Sequence, residues 1–228
     1  MNQTPSSSPP NLSSSYSLAF RRDVHQLLAW GYEDARSKIT SQQEETEITG
    51  FIAEAIEERF DSPQTPEKFN RYFLSEDKPI PGDNLTGKSR RRLDLVFESS
   101  LDRPRLKYVF EAKRLFTGSH PIGKYTNSEG LQRFVTGKYA SQYPEAGMIA
   151  YIQNKNAVYW QTQLSNNFRE DISNSLRVIN SLRKELVIDF LCDEWVSEHS
   201  REHNSTVMIY HIFLDCTQLQ PSTQTDAL

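Results

Sequence analysis

Two neighbouring stretches hold residues whose types and spacing match known chemistry. Gly82-Asp-Asn-Leu-Thr-Gly87-Lys88-Ser89 fits the phosphate-cradling pattern G-x-x-x-x-G-K-[ST]. Immediately after it, Arg92-Leu-Asp94-Leu-Val-Phe97 reads as a strand with one carboxylate, and Arg105-Leu-Lys-Tyr-Val-Phe-Glu111-Ala-Lys113-Arg-Leu115 reads as a second strand with a carboxylate and a lysine. Side chains alternate along a strand, so Leu93, Leu95 and Phe97 share one face and Asp94 and Val96 the other; Tyr108, Phe110 and Ala112 likewise oppose Val109, Glu111 and Lys113. A hairpin turn centred between Asp102 and Arg103 sets Asp94 directly across from Glu111.

Two carboxylates facing each other repel, and a positive charge is expected between them. Mg2+, with Mn2+ as a substitute, prefers carboxylate oxygens and keeps positions for water and phosphate, which suits activation of water on a phosphodiester. Lys113 points the same way as Glu111, where it can handle the proton of that water or steady developing charge. The plain alternative is a surface hairpin with a cross-strand ion pair. Val96 and Val109 beside the charged trio argue against free solvation.

A phosphate loop needs a buried strand leading into its first glycine. Here Ser75-Glu-Asp-Lys-Pro79-Ile-Pro81 precedes Gly82, and two prolines with a charge run cannot form a central strand. A third pattern, His199-Ser-Arg-Glu202-His203, fits the H-x-x-E-H arrangement of zinc peptidases, but it sits in a polar stretch with no apolar stripe and is expected to be a solvated loop. His211 reads as a satisfied sheet histidine, and Trp30, Trp160 and Trp195 as packing residues.

Asp94 followed by Glu111-Ala-Lys113 resembles the D…(D/E)-x-K signature of the restriction-endonuclease-like PD-(D/E)xK nuclease superfamily, over roughly Ser41 to Ile152. The proline of the family name is absent, with Leu93 in its place. The resemblance implies a restriction-endonuclease-like core. It also implies that Asp94 and Glu111 are metal ligands, that the Ala112 carbonyl completes the site, and that Lys113 is the catalytic lysine. A helix glutamate often joins such sites; Glu44, Glu45 and Glu47 are all near enough, with Glu45 favoured, although acidic residues also suit any helix start. Gln132 stands where the family often carries a substrate-contacting side chain. By the same resemblance the activity is hydrolysis of DNA in restriction or anti-phage defence, with a homodimer or a protein partner supplying target choice. The alternative is an inactive subunit of the same fold that binds nucleic acid or a partner.

The elements that must position these residues are a mixture of helices and strands, giving an α/β class with a central mixed sheet flanked by helices. A short helix is expected from Leu18 to Gly31, and a clear amphipathic helix capped by Ser41 carries Ile48, Phe51, Ile52, Ala55, Ile56 and Phe60. A brief helix is expected around Phe69 to Leu74, followed by a loop through Asn84. After the hairpin, a helix capped by Ser128 bears Leu131, Phe134, Val135 and Tyr139; a strand at 147–152, helical segments through about Asn180, an apolar run at 185–190 and a final strand at 206–215 follow.

The 228 residues suffice for one domain over 18–228, its nuclease-like core at about 41–152. The Ser/Pro-rich residues 1–17 are expected to be a disordered tail. A net charge of -4 excludes a surface that grips nucleic acid everywhere. Local contacts to DNA are expected from Lys88, Arg90, Arg91, Arg92, Gln132, Arg133 and Lys138. Two cysteines without metal spacing, no apolar run of membrane length and no leader pattern predict a cytoplasmic protein.

Overall fold

The computed structural model describes residues 18–79, 92–101, 103–201 and 205–218. The stretch from Gly82 to Ser89, with Lys88, Arg90, Arg91, Glu202 and His203 and the N-terminal tail, therefore lies outside the described residues. Seven strands form one mixed open sheet: β1 (Tyr72–Pro79), β2 (Arg92–Ser99), β3 (Lys107–Leu115), β4 (Glu145–Ile152), β5 (Val178–Lys184), β6 (Glu194–Ser200) and β7 (Thr206–Asp215). Their spatial order is β1-β2-β3-β4-β7-β6-β5. The centre, β3-β4-β7, is parallel, and antiparallel pairs extend it on both sides.

Burial follows from alternation on a sheet covered on both faces. On one face Leu95, Phe97, Tyr108, Phe110, Ile149, Tyr151 and Ile212 pack under α1 (Leu18–Ala35) and α2 (Glu45–Asp61). On the other, Val96, Val109, Met148, Ala150 and Ile209 pack under α3 (Ile122–Thr126), α4 (Gln132–Val135) and α5 (Ala157–Arg169). The strand β4 is buried along its whole length, as its uninterrupted apolar run predicts. Gly147 lets Phe110 lie across it, since a Cβ there would meet the Phe110 ring at 2.1 Å.

Several expectations need correction. The first helix passes through Gly31 and ends at Ala35; the glycine is there for a close crossing, because a Cβ would come within 2.4 Å of Ile56 on α2. The cap of α2 is Glu44, whose N–H donates to the Glu47 carboxylate at 2.8 Å, rather than Ser41. Phe69 lies in a short 3-10 turn, and Tyr72–Pro79 is an edge strand instead of a helix and loop; edge strands tolerate charges on their open side. The helical character expected through about Asn180 ends at Arg169, with Val178–Lys184 a strand, and Ser128 caps nothing because α4 begins only at Gln132.

The hairpin register is the one the sequence predicts: Leu95 pairs Phe110 and Val96 pairs Val109. Leu93 departs from it, packing with Val96 and Val109 rather than with Leu95. The β2–β3 ladder stops at Leu95, so the expected pairing of Asp94 directly across from Glu111 is not made; the Ala112 N–H donates instead to the Asp94 carboxylate at 2.7 Å. A side chain thus replaces the next backbone rung, which frees the strand from strict alternation.

Candidate active site

Asp94 sits where β2 leaves the ladder, and Glu111 and Lys113 lie two residues apart on β3, against the apolar wall of Met148 and Ala150 on the parallel neighbour β4. The N-terminal turn of α2 brings Glu45. Its placement is fixed by Arg114, whose backbone N–H donates to the Glu45 carboxylate at 3.1 Å while the guanidinium grips Glu44 in a two-pronged pair at 2.9 and 2.6 Å. Thr49 bonds Tyr151 at 2.9 Å and so ties α2 to β4, and just outside both elements the Gln153 amide donates to the Gln43 carbonyl at 2.7 Å.

Lys113 is the hub. Its Nζ lies 2.9 Å from Glu45, 3.0 Å from Glu111 and 2.7 Å from the Ala112 carbonyl. Burial works against the charge, yet Glu111, then Glu45 and Asp94, hold the amine above the usual lysine range. The same burial pushes the Asp94 carboxyl up to about 6 against the opposing pull of Lys113 and the Ala112 N–H. Glu111, 1% exposed, is pushed up to about 8 by burial and then by the charge of Asp94. Its Oε1 accepts from Arg133 at 2.9 Å, whereas its Oε2 is buried without a hydrogen-bond partner.

Arg133, expected to contact DNA, lies in this cluster, paired with Glu111. It lies over the Tyr139 ring at 4.9 Å, and the Tyr139 hydroxyl donates to the Arg92 carbonyl at 2.7 Å, so a residue of α4 is braced against the start of β2. Arg92 pairs with Asp77 on β1 at 2.6 Å, and Lys138 is exposed. Gln132 is not in the cluster; its amide donates to Ser175 at 3.0 Å. Sequence reasoning missed Arg114 and Tyr139. Alternation does put Arg114 on the face opposite Lys113, towards α2, but nothing local marks Arg133 as the partner of an acid on β3.

Among the described residues no three His, Cys, Asp or Glu side chains are grouped so as to hold a metal ion. Glu45 joins through Lys113 and the Arg114 N–H rather than as a third ligand. A pair of carboxylates that resist ionisation, one with an orphaned buried oxygen, is nevertheless the donor set that a hard cation relieves. His199, expected in a solvated loop, is instead fully buried on β6 and bonded to Ser197, so it contributes to no zinc site. His211 is a satisfied sheet histidine, and Trp160 and Trp195 are buried packing residues.

Compared with models of protein families, with curated protein sequences and with solved structures, the chain gives no significant match in any of the three.

Proposed function

We propose that the protein is a metal-dependent nuclease with a restriction-endonuclease-like core, hydrolysing DNA phosphodiester bonds in the cytoplasm as part of restriction or anti-phage defence. The observation that carries this reading is the meeting of half-buried Asp94 and Lys113 with buried Glu111 in one cluster, with Glu45 holding the lysine from α2. Asp94, the orphaned oxygen of Glu111 and the Ala112 carbonyl are the groups that would hold Mg2+ or Mn2+, which supplies a polarised phosphate oxygen and a more acidic water.

The chain's own residues divide the remaining work. Lys113, kept protonated by three acids, acts as a cationic donor that steadies charge developing on the phosphate; its raised amine does not suit it to take a proton. Arg133 and Lys113 both engage Oε1 of Glu111, which leaves its buried Oε2 for a cation. DNA is the substrate, and a homodimer or protein partner supplies target choice. Two free cysteines and the lack of any helix, among the described residues, long and apolar enough to cross a membrane agree with a cytoplasmic setting.

A second reading, a non-catalytic subunit of the same fold that binds nucleic acid or a partner, is favoured by the way Lys113 and Arg133 already pair with Glu111, with no three-carboxylate group among the described residues. Plasmid and single-stranded DNA incubated with Mg2+, Mn2+ or EDTA separates the two. Cleavage that needs metal and is lost in Lys113→Ala supports the nuclease; no cleavage by the wild type under any metal supports the subunit.

A further inference from the structure

Beside the carboxylate cluster runs a groove of about 250 Å³ with an apolar floor of half-buried Leu93, Ala140 and Tyr143 over buried Val96 and Val109, and a rim of Lys78, Lys107 and Lys138. We propose that it holds an unstacked base of single-stranded DNA next to the scissile phosphate, an inference that rests on the nuclease reading for the identity of its neighbour. Position is the first argument. Val109 lies two residues before Glu111 and Val96 two residues after Asp94, and these valines pair with each other across β2 and β3. Two residues of strand span ~6.6 Å, and stacked nucleotides advance ~3.4 Å per step, so the groove lies one or two nucleotides from the cluster.

Charge is the second. Lys78, Lys107 and Arg105 all converge on one carboxylate, that of Glu98, with Lys107 at 3.3 Å and Arg105 at 3.8 Å. Burial opposes its ionisation, but Lys78 and Lys107 hold its carboxyl below the usual range, so it stays charged. Lys78 and Lys107 at the groove, with exposed Lys138 across the rim, give it a basic edge suited to a phosphate backbone.

Shape is the third. The floor of Leu93, Ala140 and the Tyr143 ring offers a face for a base, while the polar groups of Ser141 and Gln142 lie at its side. A paired base keeps its faces stacked inside the duplex, so only an unpaired or extruded one can cover such a floor. The volume is below the ~300–1,000 Å³ usual for small-molecule clefts and accommodates one base rather than a helix.

The test is fluorescence anisotropy on the full chain in EDTA, where cleavage is off. It uses a labelled single-stranded oligodeoxynucleotide, the blunt duplex of the same sequence, and the same strand built from abasic residues. Single-stranded DNA is expected to bind ~10-fold more tightly than either the duplex or the abasic strand, the size of one base stacked on protein. Lys138→Glu, at an exposed position, should weaken all binding to single strands by ~10-fold. Leu93→Trp, which fills the groove, should bring the base-containing strand down to abasic affinity while leaving the abasic strand as it was. Equal affinity for abasic and base-containing strands, or tighter binding of duplex, overturns the proposal. Base-dependent binding in a protein that never cleaves in Mg2+ leaves the groove in place and removes the nuclease reading; cleavage without base dependence does the reverse.

Discussion

At the β2–β3 end of the sheet Asp94, Glu111, Lys113 and Arg133 are drawn out of solvent, and at the β6–β7 end Tyr125, His211, Ser197 and His199 are as well. The second group is a closed chain. Its far acceptor is the Leu176 carbonyl, 2.6 Å from His199 Nδ1, so that nitrogen carries the proton and Nε2 accepts from Ser197 at 2.7 Å. The Ser197 oxygen then accepts from His211 Nε2 at 2.8 Å, and His211 Nδ1 accepts from Tyr125 at 2.8 Å. Each hydrogen has one direction, and no charge is needed. The first group has the opposite character: charges without full solvation, an unpartnered carboxylate oxygen, and both acids displaced from their ordinary values. A buried polar network that is satisfied holds a fold together, whereas one that is incomplete stores a capacity for something still to be bound.

The largest expected effect separates the two directly. Lys113→Ala should lower metal-dependent cleavage by ~10²–10⁴-fold, the range for losing a positioned proton or charge donor. His211→Phe, normalised to folded protein, should leave the rate unchanged. Cleavage assays of both variants on one plasmid check this, and a comparable loss in His211→Phe would erase the distinction.

Next comes pH. Burial lowers His199 to about 4, against the pull of the Leu176 carbonyl, so between about 4 and 6.5 the unfolded chain binds more protons than the folded one. Stability from this histidine is therefore complete above about 6.5 and is lost as pH falls through 4, by ~3 kcal/mol at most. His211, lowered by burial and by His199, acts in the same direction. Urea titrations from pH 7.5 down to 4 should show this slope in the wild type and a shallower one in His199→Gln. Third, Ser197→Ala orphans a nitrogen on each histidine and should cost ~2 kcal/mol in urea at pH 7.

The two clusters also differ in how far the sequence disclosed them. The β2–β3 register from Leu95 to Glu98, which carries Asp94 to the edge of Glu111's strand, could be read from two alternating runs and one short turn, because side-chain period and hairpin length fix a register without tertiary information. The histidine chain could not. Ser-Glu-His-Ser looks like a solvated loop until β7 supplies His211 and α3 supplies Tyr125, both distant in sequence. Polarity was mistaken for exposure there, and the charges of Ser75-Glu-Asp-Lys hid β1 in the same way, since an edge strand leaves one side open to water. Arg133 gave no local sign that Glu111 would pair with it. The helix through Gly31 was shortened because its reason, contact with Ile56, lies on another element.

The smallest effect is the one that most sharply tests what the comparison means. In the folded protein Asp94 ionises at about 6 instead of its ordinary 3.8, chiefly through burial, so the folded state holds its proton longer than the unfolded state does. Between those values stability falls as pH rises, and at pH 7 the ionised carboxylate is a net cost. Asn at this position keeps an oxygen for the Ala112 N–H and removes the charge, at the expense of some attraction to Lys113. Asp94→Asn is therefore expected to abolish cleavage yet stabilise the protein by ~1 kcal/mol at pH 7 in EDTA. Added Mg2+ should raise the melting temperature of the wild type and not of the variant, because a bound cation relieves the penalty only where the carboxylate remains. If Asp94→Asn instead destabilises the metal-free protein, the β2–β3 cluster is a satisfied ion-pair network like its neighbour across the sheet, and the contrast on which the site rests is gone.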